Sequence, residues 1–208
     1  MAMDKELLKA LTTTMKNSNA STGTPSIATP SKGATTAVPS KKTMNPLITE
    51  DMVDFLNYRI QQEEYSSRIY LSMSLYLGNK GYVNASALWK KYSDEEMVHA
   101  DFARTYLLSF GIQPVTPRLD QPQQDFTGLP QIIQMSFDHE VEVSTQCKKL
   151  ADAAFKKADH MLYELALKYL KEQVEEHDKT QNWVDQLEAF GTDKIAMRLL
   201  DHEMKDYL

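Results

Sequence analysis

The 208-residue sequence predicts an all-α protein: a four-helix bundle with one long crossover between its second and third helices and a short fifth helix at the carboxyl end. Two observations support this prediction. Four long segments repeat apolar residues at spacings of three and four, the pattern of a helix that buries one face. Glycines follow three of these segments, and a proline-rich stretch separates the second segment from the third.

Composition places the chain among ordinary globular proteins. Hydrophobic residues make up 42% of the chain and charged residues 25%, both typical of a folded domain. No apolar run approaches a membrane span, and no secretory leader is recognisable. The single cysteine, Cys147, excludes an internal disulfide framework and a CxxC metal ribbon. A cytoplasmic protein is predicted, with an organelle or a larger compartment addressed by the amino-terminal arm as the alternative.

Residues 1–46 differ in composition from the rest of the chain. They carry six lysines against two acids, whereas the whole chain has a net charge of −6. From position 12 onward they are rich in Thr, Ser, Ala and Pro and contain no aromatic residue, so they cannot bury enough surface to offset the entropy of ordering. The sequence predicts a disordered basic arm at 1–46 and a folded domain at 47–208. Its partner is unknown, and tethering, targeting and plain solvation all stay open for the arm.

The first helix is predicted from about residue 49 to Gly78, with Thr49 as its N-cap. The glycine-containing break after it is short, so the second helix, about 83–110, folds back antiparallel. The following segment, 111–127, holds three prolines and no helical period. At that length it predicts a crossover rather than a hairpin turn.

The third helix is predicted at about 128–157, with Thr127 as its cap, and the fourth at about 160–190, with Asp159 as its cap. Only a short connection separates them, so they also pack antiparallel.

A fifth, shorter helix is predicted after Gly191. Thr192 is suited to cap it, and it extends to about Tyr207. Its apolar side is expected to contain Ile195, Leu199 and Met204.

Polar side chains interrupt the apolar stripe of every long helix. In the second and fourth helices the interruption is a pair three residues apart, a spacing that places both side chains on one face. Each interruption lies roughly 12–17 residues from the start of its helix, about 20–25 Å along the axis. Four helices therefore present polar groups at one level of the core. The interrupting residues are Glu63, Glu96, His99, Glu140, Gln173 and Glu176.

These residue types indicate a metal centre. Burying an ionised carboxylate without a partner costs several kcal/mol or more, and a cation is the simplest compensation. One Glu from each of two helices with an i,i+3 pair from each of the other two is the pattern of a carboxylate di-metal bundle. Hard oxygen donors with one imidazole favour iron or manganese over copper, with zinc as a competitor. Taken singly, each residue has an ordinary surface or core interpretation, but together these interpretations require four coincidences at matching height.

The motifs resemble those of a bacterial non-haem ferritin subunit, within the ferritin-like di-iron superfamily. The resemblance rests on the segments 62–67, 95–99 and 172–176 and on Glu140, and it covers about 47–208. It implies a ferritin-like bundle that stores iron. A ferroxidase centre oxidises Fe(II) to Fe(III) with O2 or peroxide, and the product is deposited as a mineral inside a hollow homo-oligomeric shell of 24 subunits.

The resemblance also implies positions for two iron ions. Glu63, Glu96 and His99 would hold the first. Glu96, Glu140 and Glu176 would hold the second, with Glu96 bridging the pair.

Further roles follow from the same resemblance. Gln173 and Tyr70 would support the centre, the tyrosine as an electron donor. No haem is predicted, because the fourth helix carries Gln173-x-x-Glu176 where a haem-binding relative has Glu-x-x-His. A third iron would be held by Glu95, Glu172, Glu175 and Glu176.

Two other functions stay open. One is a non-storage di-iron oxidase or peroxidase of the same superfamily, which would not need a large assembly. The other is a shell that its arm, 1–46, tethers to a larger assembly.

Overall fold

The computed structural model describes residues 47–208, in which all regular structure is helical. The predicted disorder of 1–46 lies outside these residues. The predicted four-helix bundle with a short fifth helix is confirmed. Its helices are α1 (Glu50–Asn79), α2 (Val83–Ser109), α3 (Leu129–Lys156), α4 (His160–Phe190) and α5 (Lys194–Glu203), and a 3-10 turn follows at Met204–Tyr207.

Helices α1 and α2 form a closely packed antiparallel pair. The hydroxyls of Ser67 and Ser93 lie 3.1 Å apart, and the Ser74 hydroxyl donates to the carbonyl oxygen of Ser86 at 2.7 Å. From the first contact to the second, the residue number rises on α1 and falls on α2, so the two helices run in opposite directions. A Cβ on Gly78 would lie 3.0 Å from the Ser86 hydroxyl oxygen, so the glycine permits this close approach.

The crossover, residues 110–128, runs beside α1. The backbone N–H of Val115 donates to Asn57 Oδ1 at 2.9 Å, and the Ser72 hydroxyl donates to the Gln123 carbonyl. From the first contact to the second, the residue number rises both on α1 and in the crossover. The crossover therefore follows α1 towards the carboxyl end of that helix. It therefore returns the chain to the end of the bundle where α2 begins, and the predicted crossover is confirmed.

The cap predicted for α3 is wrong. Gly128, not Thr127, precedes the helix and has a φ of +150°, a conformation that favours glycine. Both the backbone N–H and the hydroxyl of Thr127 approach Gln131 Oε1, at 2.6 and 3.0 Å. For α4 the prediction is confirmed, since the Asp159 carboxylate accepts from the N–H of Leu162 at 3.0 Å.

The cap predicted for α5 is displaced by one residue. Asp193, not Thr192, accepts hydrogen bonds from the backbone N–H groups of Ile195 and Ala196, at 2.8 and 3.1 Å. A carboxylate facing the amino end of a helix gains from both the unpaired N–H groups and the helix dipole, which explains the choice.

The buried side of α5 also differs from the prediction. Ile195 and Leu199 are 74% and 54% exposed, whereas Met204 is buried as expected. The helix is turned so that Asp201, only 3% exposed, faces the amino end of α2. The remaining buried residues of α5 are Ala196, Met197 and Leu200.

Asp201 explains this orientation. Its Oδ1 accepts from the backbone N–H groups of Asn84 and Ala85, at 3.1 and 2.9 Å. The first turn of α2 is therefore capped by a carboxylate that lies more than a hundred residues away in sequence. Burying this bond requires the adjoining face of α5 to pack inward.

Aromatic residues fill the core between the buried glutamates and the end of the bundle where α2 begins. The indole N–H of Trp89 donates to the Ser136 hydroxyl at 3.0 Å, and that of Trp183 donates to the Tyr92 hydroxyl at 3.0 Å. The polar atoms of both buried indoles are thus satisfied. Within residues 47–208, no helix has the length and apolar character needed to cross a membrane.

Candidate metal centre

Glu63, Glu96 and His99 converge at mid-height of the bundle. All three are buried, and one ligand-type atom from each lies within 4.8 Å of the others. His99 Nδ1 is 3.3 Å from Glu96 Oε2, the contact expected for residues three apart on one helix face. Since α1 packs directly on α2, Glu63 faces this pair. One cation could bind all three side chains.

Glu140 lies beside this cluster and is fully buried at 0% exposure. The Tyr70 hydroxyl donates to its Oε1, and Gln173 Nε2 donates to its Oε2 at 3.3 Å. The Ser144 hydroxyl donates to Gln173 Oε1 at 2.8 Å, which orients the amide so that its N–H groups face Glu140. The two residues expected to support the centre thus contact one of its carboxylates.

Glu176, also buried, is paired with a lysine that the sequence did not single out. Lys179 Nζ lies 3.0 Å from Glu176 Oε1 and 3.1 Å from Glu95 Oε2. Burial raises the pKa of Glu176 to about 7, with Lys179 lowering it and the charge of Glu140 raising it. The ammonium therefore links a glutamate of the predicted second iron position to one of the predicted third.

The other glutamates of the predicted third position lie further out. Glu95 and Glu172 are partly buried, and Glu175 is exposed. In the described part of the chain, Lys179 contacts two of the four glutamates predicted to bind the third iron, Glu95 and Glu176.

The clustered carboxylates repel one another. Burial raises the pKa of Glu96 well above its usual range, and the negative charges of Glu140, Glu63 and Glu176 raise it further. Burial also raises the pKa of Tyr70, again with contributions from Glu140 and Glu96, so the phenol stays neutral. Without a cation, Glu96 and Glu176 therefore hold protons to higher pH than exposed glutamates do.

Glu63 Oε2 gives an independent indication that the site fits a cation. This oxygen is buried, and no amide, hydroxyl or amine of residues 47–208 donates to it. The neighbouring Glu96 carboxyl group can donate a hydrogen bond to this oxygen only while it keeps its proton. A buried acceptor left unpaired costs about 1–3 kcal/mol. A hard divalent cation between the two carboxylates would satisfy both, and their oxygen donors suit iron.

Arg59, one turn before Glu63, is a second charged residue that sequence reasoning missed. It is 0% exposed. Its Nε donates to Glu63 Oε1 at 2.7 Å, its Nη2 lies 2.6 Å from the same oxygen, and its Nη1 donates to Gln146 Oε1 at 2.6 Å. Burial lowers the pKa of Arg59, but the charge of Glu63 more than reverses this, so the guanidinium stays charged. An arginine four residues before a predicted ligand was the available signal.

Two aromatic contacts around the centre were also not predicted. His139 Nε2 lies 2.8 Å from the Ser66 hydroxyl, and its ring meets Tyr70 edge to face. The Tyr169 hydroxyl donates to the carbonyl oxygen of His99 at 2.9 Å. These contacts hold Tyr70 and the His99 segment of α2 in place.

Comparison with known proteins gives consistent matches. A family model for the ferritin-like domain matches residues 53–190. A bacterial non-heme ferritin of Bacteroides fragilis is 30% identical over 145 residues, which cover 70% of this chain and 91% of that protein. One of Escherichia coli is 25% identical over 158 residues, which cover 76% of this chain and 96% of that protein.

A solved structure agrees with these matches. The open pore ferritin of the archaeon Archaeoglobus fulgidus superposes with a TM-score of 0.74 and 29% identity, over 76% of this chain and 97% of that one. The range 53–190 contains every residue predicted to bind iron. The resemblance drawn from the motifs is confirmed.

Proposed function

The chain belongs to the ferritin-like family, and from that premise we propose that it is a ferroxidase that stores iron as a mineral inside a protein shell. The observation that carries the proposal is the buried convergence of Glu63, Glu96 and His99, with Glu63 Oε2 lacking a donor among residues 47–208. Names of relatives alone would not place metal chemistry in this core. The geometry of these three side chains does support it.

Iron is the substrate, and it occupies two neighbouring positions. Glu63, Glu96 and His99 bind the first Fe(II). Glu96, Glu140 and Glu176 bind the second, with Glu96 shared between them. Carboxylates tolerate a change in the charge of a bound ion, since they shift between one-oxygen and two-oxygen contact.

The reaction balances without a resident cofactor. Two Fe(II) ions each give up one electron, and one O2 with two protons takes up both electrons as H2O2. With peroxide as the oxidant, H2O2 and two protons become two waters. In either case two Fe(III) ions leave the centre for the mineral.

The protein supplies the protonation states and the positions. Binding of Fe(II) displaces the protons that Glu96 and Glu176 hold when metal is absent. Gln173 and Tyr70 fix Glu140, and we assign Tyr70 the role of electron donor when only one Fe(II) is bound: its phenol then gives up one electron and one proton in place of the electron of the second Fe(II). A third iron binds at Glu95, Glu172, Glu175 and Glu176 once Lys179 moves aside.

Storage requires an enclosed assembly, and we assign the chain to a homo-oligomeric shell of 24 subunits. The similar archaeal proteins are an open pore ferritin and an engineered closed form of the Archaeoglobus fulgidus ferritin, which supports a shell with openings. A cytoplasmic location stays a prediction.

The test is Fe(II) oxidation by the assembled protein at two irons per subunit, followed by stopped-flow absorbance. Glu96→Gln is expected to slow oxidation by at least about 100-fold, because it removes the shared ligand. Glu164→Gln, an exposed glutamate of α4, serves as the matched control and should oxidise iron normally. An unchanged rate in Glu96→Gln would reject this ligand assignment.

Particle mass and iron content distinguish iron storage from the alternative function, a non-storage di-iron oxidase. A large particle that retains several hundred irons after aerobic loading supports storage. A monomer or dimer that oxidises Fe(II) without retaining it would identify a non-storage di-iron oxidase.

A further inference from the structure

Arg59 places a permanent positive charge against the first iron position. Its guanidinium is completely buried and contacts Glu63 through both Nε and Nη2, at 2.7 and 2.6 Å. Gln146 Oε1 accepts from Nη1 at 2.6 Å, and the Tyr169 ring lies beneath the group at 5.6 Å from its centroid. The side chain is therefore fixed from several directions and cannot swing into solvent.

This contact divides the two oxygens of Glu63 between two tasks. Both nitrogen contacts of Arg59 fall on Oε1. Oε2, which no amide, hydroxyl or amine of residues 47–208 approaches as a donor, is the oxygen left for a cation. Glu63 thus offers one oxygen rather than two, and its negative charge is already paired with that of the arginine.

A fixed charge acts unequally on ions of different charge. Coulomb repulsion grows in proportion to the charge of the ion, so Arg59 repels Fe(III) half as strongly again as Fe(II). Water cannot screen the interaction, because Arg59, Glu63 and Glu96 are all buried. The attraction of the glutamates grows in the same proportion on oxidation, so the arginine reduces the advantage that the trivalent ion would otherwise have at this position.

We propose that Arg59 is a specificity-determining residue, which lowers the affinity of the first position for trivalent iron relative to divalent iron and so favours release of the oxidised product. The proposal rests on the function proposed above and adds how the charge of the bound iron affects its release. Arg59 acts through Glu63 and through its charge; it does not bind the ion. Product release from the first position is then a built-in property of the site.

The test uses redox-inactive ions on the complete, metal-free assembly. Tb(III), followed by its luminescence, is bound first and then displaced by Co(II), so that one titration gives the ratio of trivalent to divalent affinity. Arg59→Gln is expected to raise this ratio at least about tenfold in favour of Tb(III). Arg59→Met is a second neutral variant that fills the cavity, in case the glutamine variant does not fold.

Two controls separate charge from packing. Arg59→Lys retains the charge and should keep a ratio close to that of the wild type. Arg104→Gln removes a partly buried arginine that pairs with Glu64 and Asp101, away from the cluster, and should leave the ratio unchanged. A ratio that does not move in the folded neutral variant, or that moves equally in Arg59→Lys, overturns the proposal.

Failure of the proposed function has a different signature. In that case Glu96→Gln would bind Co(II) as tightly as the wild type, whatever the Arg59 variants do. If Glu96→Gln loses Co(II) binding while the ratio in Arg59→Gln is unchanged, only the inference about Arg59 is wrong.

Discussion

At the scale of single residues, the clustered acids of the core destabilise the metal-free fold but supply the ligands for a cation. Glu96 lies within a buried group of carboxylates, and burial with the surrounding charge raises its pKa well above the usual range. A glutamate that must be neutral to be buried weakens the metal-free bundle whenever the pH removes its proton. The same removal of protons prepares the ligands for a cation.

Glu96→Gln is therefore expected to stabilise the metal-free protein at pH 7.5 while abolishing its metal binding. Glutamine has nearly the same volume and is neutral without binding a proton, so folding no longer requires Glu96 either to take up a proton or to be buried with a charge. For a domain of this size each kcal/mol raises Tm by about 2–4 °C, and a rise of several degrees is expected by calorimetry of the chelator-treated protein. A lower Tm in the variant would show that Glu96 is stabilising without metal.

The stability of the metal-free protein should also fall as pH rises. The folded-state pKa of Glu176 is about 7, raised by burial from its ordinary value of 4.5. Between these values the folded state holds more protons than the unfolded state, so this contribution is complete below pH 4.5 and lost as pH rises through 7. Tm of the metal-free protein is expected to decrease from pH 6 to pH 8, and saturating Co(II) should reverse the trend.

Lys179 controls where that change in protonation occurs. Its ammonium lowers the pKa of Glu176 and also contacts Glu95. Lys179→Met should therefore move the pH midpoint of Co(II) binding upward, while the occupancy of a third ion increases because the competing cation is gone. Isothermal titration across pH 6–8 measures both. Lys171→Met, an exposed lysine on the same helix, is the control and should change neither.

At the scale of elements, the capping of α2 depends on another helix. Asp201→Ala removes the carboxylate that accepts from the N–H groups of Asn84 and Ala85. Loss of such a cap costs about 0.5–2 kcal/mol, which urea denaturation would detect as a lower midpoint with an unchanged m-value. Asp201→Asn keeps an acceptor oxygen and should restore much of the loss. Asp206→Ala, an exposed residue near the chain end, is the control.

The long helices could be predicted because each carries a sustained apolar period. The limits of α1, α2, α3 and α4 agree with the prediction to within one residue, and Glu63, Glu96 and His99 lie together in the core. α5 was harder, because apolar residues occur on more than one of its faces. The phase of that helix is set by the contact of Asp201 with α2, which is a tertiary interaction that no local pattern encodes.

Arg59 and Lys179 escaped prediction for a related reason. A charged residue near a predicted ligand is usually solvated, and only packing decides whether it turns inward. Arg59 is buried because Gln146 on α3 accepts one of its N–H groups, and Lys179 is held because Glu95 on α2 faces it. Both partners lie far away in sequence, so spacing along one helix carries no trace of them.

At the scale of the whole molecule, the core of the described residues is built by the bundle helices together. Its buried residues extend from Ile48 to Met204 and draw on all five helices. A chain that begins at residue 47 is therefore expected to fold with a Tm within about 2 °C of the full chain and to assemble to the same number of subunits. Light scattering and calorimetry of the two chains test this. Loss of assembly on deletion would give 1–46 a structural role.

The contact of Asp201 with α2 also has a consequence for the order of synthesis. The first turn of α2 leaves the ribosome more than a hundred residues before the carboxylate that caps it. These two backbone N–H groups of the helix pair α1–α2 must therefore be hydrated by water until Asp201 has been translated. A chain that terminates before residue 201 lacks this cap, so its defect appears at the start of α2 and not at its own carboxyl end.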